Sequence, residues 1–219
     1  MDLALFFCLT LQLSQGAQEG PIVLAKPEGL EMSVGEALRM RHSVRKFDPT
    51  RQLSRTQLGT LLWASAGVTR PEPTHPVGGK RTAPSAFGSA SVDVFVTSAE
   101  GTFVYSSKDH ALVPHGAAAK KDLRADLAGA AWAKEAPVLM LFVANLERYP
   151  EKTSTAERRD YSFADASAAG ENLYLACTAL GLGTCLTMSS NKEAGALLGL
   201  SKSQVVLFAF PVGYPAEAK

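Results

Sequence analysis

Cysteine is scarce in this 219-residue sequence, and the little present makes no pattern. Cys8, Cys177 and Cys185 form no C-x-x-C pair and no Cys/His cluster at ligand spacing, which argues against a zinc site or a disulfide framework. Cys177 and Cys185 are expected to be buried free thiols. An excess of one charge is missing too: 22 Lys and Arg against 21 Asp and Glu leave a formal net charge of +1, without the electrostatic footprint of a nucleic-acid binder. No apolar run reaches the length of a mature transmembrane helix. There is no internal repeat, no G-x-S-x-G and no H-E-x-x-H, and His42, His75, His110 and His115 sit at unrelated spacings, so hydrolase readings are weak. No G-x-G-x-x-G follows a strand; Gly181-Leu182-Gly183 ends a helix where a Rossmann site would open one. With 46% hydrophobic and 20% charged residues, the chain has the size and composition of one globular domain acting on a small molecule.

Residues 3–13 form an apolar run of signal-peptide length, and Ser14-Gln15-Gly16-Ala17 offers small residues for cleavage, so residues 1–17 are expected to be a leader, although Asp2 stands where a positive charge is usual. A genuine leader implies export, periplasmic or secreted; without one the protein stays in the cytoplasm. Residues 18–32, with Gly20, Pro21, Pro27 and Gly29, suit an extended arm, and 33–219 form the domain. Ser33 with Glu36 is a capping box opening a helix from Val34 to about Met40, and Ser54 with Gln57 opens a second with Leu58, Leu61 and Leu62 on one face. Residues 70–79 concentrate proline and glycine and predict a loop. Strands are expected at Val92–Val96, at Thr102–Tyr105 paired with Ala111–Val113 through a turn at Lys108-Asp109, and at 137–143, whose unbroken apolar run suits a strand buried on both faces. Helix is predicted over 122–133 and over 162–180, the latter rich in alanine and stopped by Gly181. A short strand near 184–188, a helix near 192–198 capped by Asn191, and a buried strand over 205–210 close the chain.

The candidate site begins at Arg41-His42-Ser43-Val44-Arg45-Lys46-Phe47. Arg41, Ser43 and Arg45 alternate, so in extended chain they point the same way, and two guanidinium forks with a hydroxyl can grip a phosphate. On spacing alone a solvated connector is the better explanation of the charges.

Arg-His-Ser-x-Arg-x-Phe resembles the opening motif of the nitroreductase family. The resemblance continues through Leu61-Leu62-Trp63-Ala64, Arg81-Thr82-Ala83-Pro84-Ser85-Ala86, Ala169-Gly170-Glu171-Asn172-Leu173-Tyr174-Leu175, Gly181-Leu182-Gly183-Thr184 and Val212-Gly213-Tyr214-Pro215, covering roughly 33–215. The Arg-Thr-Ala-Pro-Ser-Ala form is similar to the branch that includes the azoline dehydrogenases.

The resemblance implies an α+β fold, a central mostly antiparallel sheet flanked by helices, in an intertwined homodimer with FMN between the subunits. It implies that Arg41 and Ser43 hold the flavin phosphate and ribityl chain, with His42 beside them, and that Arg45 reaches the pyrimidine end. It implies that Pro84, Ser85 and Ala86 come from the partner subunit, and that Met188 and Ser189 offer backbone near flavin N5. The implied activity is ping-pong two-electron transfer from a reduced donor, NAD(P)H among the candidates, to a nitroaromatic, quinone or similar acceptor. Azoline dehydrogenation and a non-catalytic flavin- or small-molecule-binding role stay open. Many relatives add a late basic pair at the phosphate where this chain has only Lys219, so Arg81 or another cation could serve instead, or the cofactor is held less tightly. Phe47 and Trp63 are read as core, and Arg81 otherwise as a surface charge.

Overall fold

The computed structural model describes residues 20–27, 29–188 and 193–216. The expected leader, the start of the arm, Ser189, Asn191, Lys192 and Lys219 lie outside the described residues.

Strand β1 (Ile22–Val23) precedes helix α1 (Val34–Met40), where the Ser33 hydroxyl accepts the Glu36 N–H and the Glu36 carboxylate accepts the Ser33 N–H. Ser54 and Gln57 make the same reciprocal cap at α2 (Arg55–Ala66), and Leu58, Leu61 and Leu62 are buried. The segment 70–79, read as a loop, is the turn of a hairpin, with Arg70, Pro71 and Gly79 in its strands. Strands β2 (Val68–Pro71) and β3 (Gly79–Arg81) pair antiparallel, and the prolines and glycines crowd the turn between them.

Strands β4 (Val92–Ser98), β5 (Gly101–Ser106) and β6 (Ala111–Pro114) follow as a meander, with Ser106 opposite Ala111 across the expected turn. Helix over 122–133 is corrected: only α3 (Arg124–Leu127) is α-helical, the chain turns at Gly129 (φ 73°), and Ala131–Glu135 is a 3-10 turn. Strand β7 (Val138–Asn145) leads to α4 (Thr155–Ala179), which starts seven residues earlier than expected at a third capping box, Ser154 with Glu157. Strand β8 (Gly183–Thr184), helix α5 (Ala194–Leu198) and strand β9 (Gln204–Gly213) complete the chain.

Seven strands form one sheet in the order β1-β6-β5-β4-β7-β9-β8, with every pairing antiparallel. The strand alternation is clearest in β7. Val138, Met140, Phe142 and Ala144 enter the core under α2 and α4, while Leu139, Leu141 and Val143 enter the second core with Leu127, Ala133 and Leu198. Helices therefore cover both faces, as an α+β sheet flanked by helices requires, and the unbroken apolar run in β7 is explained by its having no wet side. Phe47 is buried as expected, whereas Trp63 is only partly so. Cys177 and Cys185 are buried free thiols, and burial pushes the Cys177 thiol above its ordinary pKa.

Helix α4 lies close to the sheet because Gly170 has no side chain: a Cβ there would stand 2.7 Å from Cζ of Phe210, which is fully buried and has nowhere to move. Gly170→Val should lower stability by about 2 kcal/mol or more through overpacking. A urea melt with an unchanged midpoint would contradict this packing.

Candidate functional site

The segment after α1 is extended and bonded on both flanks. The Val44 N–H donates to the Thr184 carbonyl at 2.9 Å, Phe47 bridges to Pro215, and the Ala216 N–H donates to the Lys46 carbonyl at 3.1 Å. Val44 and Phe47 turn into a small core with Ala136, while Ser43 is half-buried and Arg45 exposed. Gly183 lets the segment approach this closely, since a Cβ there would meet the Val44 side chain at 2.6 Å.

Tyr174 on α4 gathers the first group of candidates. Its hydroxyl accepts the Leu186 N–H at 2.7 Å and lies 3.4 Å from the Ser43 hydroxyl, while the Arg41 guanidinium stands 5.3 Å from its ring centroid. With the tyrosine oxygen accepting from Leu186, its own proton can point to Ser43, which frees the serine O–H to donate outward. Arg41 makes one ion pair among the described residues, a 3.9 Å contact with exposed Glu171, so most of its donors are unused. The His42 ring shares a 2.9 Å hydrogen bond with the Met40 carbonyl, and Arg45 is exposed with no ion-pair partner among the described residues. The strand end 186–188 joins this group through Tyr174. Thr187 pairs with Ala209 on β9, and the Met188 side chain is 57% exposed.

The second group hangs on Asp165, also on α4 and only 8% exposed. Its carboxylate accepts the Ser85 hydroxyl at 2.6 Å, the Ala86 N–H at 2.9 Å, and the Ser91 and Tyr149 hydroxyls at 3.2 Å each. Four donors make burial of this charge tolerable. Burial raises the Tyr149 pKa, so Tyr149 stays a neutral donor. The same stretch is held from the other side by two arginines. Arg148 forks onto Asp93 at 2.8 and 2.9 Å and donates to the Ala90 carbonyl at 2.8 Å, and Arg81 donates to the Val92 carbonyl, to the Ala90 carbonyl at 3.4 Å and to the Ser107 hydroxyl at 2.9 Å. Arg81 is thus corrected from surface charge to a half-buried clamp whose pKa is pulled down to about 10 by burial, with Asp93 opposing.

Within one chain the two groups stay apart. Tyr174 follows Asp165 by nine residues, which on a helix means about 13 Å of rise and about 180° around the axis. Arg41, Ser43 and the 186–188 strand end come together at one edge of α4, and Pro84, Ser85 and Ala86 at the other. Asp165 and Tyr174 were not singled out in the sequence. Asp165 carries a signal nonetheless, because a lone carboxylate in register with Ala169 and Leu173 occupies the buried face of a helix.

A seven-stranded antiparallel sheet between helical layers, with an Arg-x-Ser arm on the long helix, defines an α+β protein of one known kind. The sequence profile of the Nitroreductase family matches residues 38–214, and the chain belongs to that family. It is accordingly an oxidoreductase by family. A solved structure of a candidate nitroreductase from Ralstonia eutropha JMP134 is 32% identical, with 93% of each chain covered and a TM-score of 0.81. More distant structures share the fold: an FMN-dependent nitroreductase from Clostridium difficile R20291 is 20% identical (84% of this chain, 88% of that one, TM-score 0.57), and a candidate NADH dehydrogenase/NAD(P)H nitroreductase from Parabacteroides distasonis ATCC 8503 is 20% identical over the same shares with a TM-score of 0.55. No curated protein matches. Among the described residues no His, Cys, Asp and Glu cluster could hold a metal ion, and no helix is long and apolar enough to cross a membrane.

Asp165→Asn places an amide N–H₂ among groups that all donate, and should cost about 2 kcal/mol. Chemical denaturation with limited proteolysis of residues 82–90 checks this; wild-type stability with an uncut segment would contradict it.

Proposed function

We propose that the protein is an FMN-dependent oxidoreductase that passes two electrons from a reduced donor to a small organic acceptor such as a nitroaromatic or quinone. The observation that carries the reading is the pairing of Arg41 and Ser43 over Tyr174: a guanidinium with spare donors beside a hydroxyl whose proton is free to point outward. That donor set fits a phosphate monoester. Bound FMN would supply hydride chemistry that side chains lack, which accounts for the absence of any nucleophile and base arrangement in the sequence.

The chain's own residues bind, orient and bias the cofactor. Arg41 and Ser43 take the phosphate and ribityl end, with His42 alongside. Arg45, exposed and without an ion-pair partner among the described residues, lies at the pyrimidine end, where a fixed cation stabilises the negative charge of the reduced ring. Met188 and Ser189 offer backbone near the reacting edge. Pro84, Ser85 and Ala86 come from a second copy, because within one chain they lie across α4 from Arg41 and Ser43. The exposed apolar side chains Val34, Leu38 and Met40 on α1 are the surface such a copy would cover. NAD(P)H is the proposed donor, in keeping with the name of the Parabacteroides relative.

Replacing Arg41 and Ser43 together by alanine should weaken FMN binding by roughly a hundredfold or more, the loss of two charge-assisted contacts. Flavin retained on desalting at wild-type occupancy would reject the assignment. Arg45→Ala should leave most binding intact and lower the flavin midpoint potential by on the order of 20–30 mV, about 1 kcal/mol for a two-electron couple. Spectroelectrochemical titration reads the shift, and an unchanged potential would remove the electronic role.

A further inference from the structure

Phe87 combines properties that rarely coincide. Its backbone stands at φ 57°, ψ 10°, the left-handed region where a Cβ crowds the following carbonyl and a bulky residue is an outlier. Its side chain is 59% exposed, so burial does little to offset the strain. Its ring meets that of Tyr161 at 5.4 Å, nearly perpendicular.

The backbone on either side is held firmly. Asp165 fixes Ser85 and Ala86, the Gly88 carbonyl shares a 3.0 Å hydrogen bond with His75 Nε2, and Arg148 and Arg81 converge on the carbonyl of Ala90, itself at φ 47°. A strained backbone persists only where its surroundings over-determine it, and such places are commonly built for a purpose. Here the buried bonds hold an aromatic ring out toward solvent.

We infer that Phe87 is a specificity-determining residue that contacts a planar aromatic acceptor at the partner subunit's site. The inference rests on the function proposed above, which brings Pro84-Ser85-Ala86 to the partner's cofactor. Phe87 is the next residue, one Cα step of about 3.8 Å further along, so its ring reaches whatever lies against that cofactor. Stacked and edge-to-face aromatic pairs prefer planar rings and do nothing for a compact inorganic oxidant, so the residue sorts acceptors by shape.

The holoprotein, reduced with dithionite without oxygen, is mixed with nitrobenzene or with ferricyanide while flavin reoxidation is followed. Nitrobenzene takes two electrons and two protons from the reduced protein and solvent to give nitrosobenzene and water, whereas each ferricyanide takes one electron. Phe87→Ala should slow the nitrobenzene reaction about five- to tenfold and leave ferricyanide unchanged, and Phe87→Trp should restore the rate. Calorimetric binding of benzamide, planar and not reduced, should weaken by a similar factor in Phe87→Ala. Phe87→Gly should melt about 2–4 °C above Phe87→Ala, since both lack the ring and only glycine relieves the backbone. Equal loss with both oxidants, unchanged benzamide binding, or equal melting temperatures would overturn the proposal while leaving a flavin-bound protein intact. A protein without flavin would remove the proposal together with the function it rests on.

Discussion

Nine residues of helix separate Asp165 from Tyr174, and that spacing governs the arrangement of the site. Half an odd number of turns puts the two side chains on opposite edges of the buried face of α4, with the exposed strip of Ala164, Ser167 and Glu171 between them. Each edge anchors a different arm of the chain through hydrogen bonds to a buried or half-buried group. A rigid helix cannot bend the two arms onto one ligand. In the function proposed above, a second copy supplies the other arm, and the site is shared between the two.

The rigidity comes from the sheet. β4, β7 and β9 carry apolar side chains on both faces, and Phe210 packs directly against the backbone of α4 at Gly170. Position errors of an ångström are costly at a redox site, so precision begins with this contact. Polar groups then refine it: the Tyr174 hydroxyl ties the Arg41–Arg45 arm to the strand end at Leu186, and the Asp165 carboxylate takes up the donors of the 85–91 stretch. Both anchors are satisfied within the chain, and Arg41 meets only the exposed Glu171 among the described residues.

Much of this was legible in the residues themselves. Ser33 and Ser54 announced their helices through capping boxes, and the apolar run of β7 announced a doubly buried strand. Ser154 carries the same box with Glu157, but the polar stretch Thr155–Asp160 obscured it, so α4 was expected to begin at the alanine-rich part. The β2–β3 hairpin was hidden because proline and glycine dominate its turn, and the helix expected over 122–133 was broken at Gly129, a local signal that the surrounding alanines outweighed. In the candidate site, the alternation of Arg41, Ser43 and Arg45 is a weak signal by itself, and the family resemblance singles them out. Tyr174 was not singled out, since its role depends on meeting Ser43 and Leu186 from distant parts of the chain. Arg81 misled for a related reason: an arginine next to a loop looks solvent-bound until three acceptors are folded around it.

The central question is whether Arg41 and Ser43 hold a flavin mononucleotide. Visible absorption of the purified, desalted wild-type protein, followed by identification of the chromophore released on denaturation, decides it. The expected result is an oxidised-flavin spectrum in stoichiometric amount and FMN in the supernatant. A colourless protein that takes up no added FMN would contradict the account.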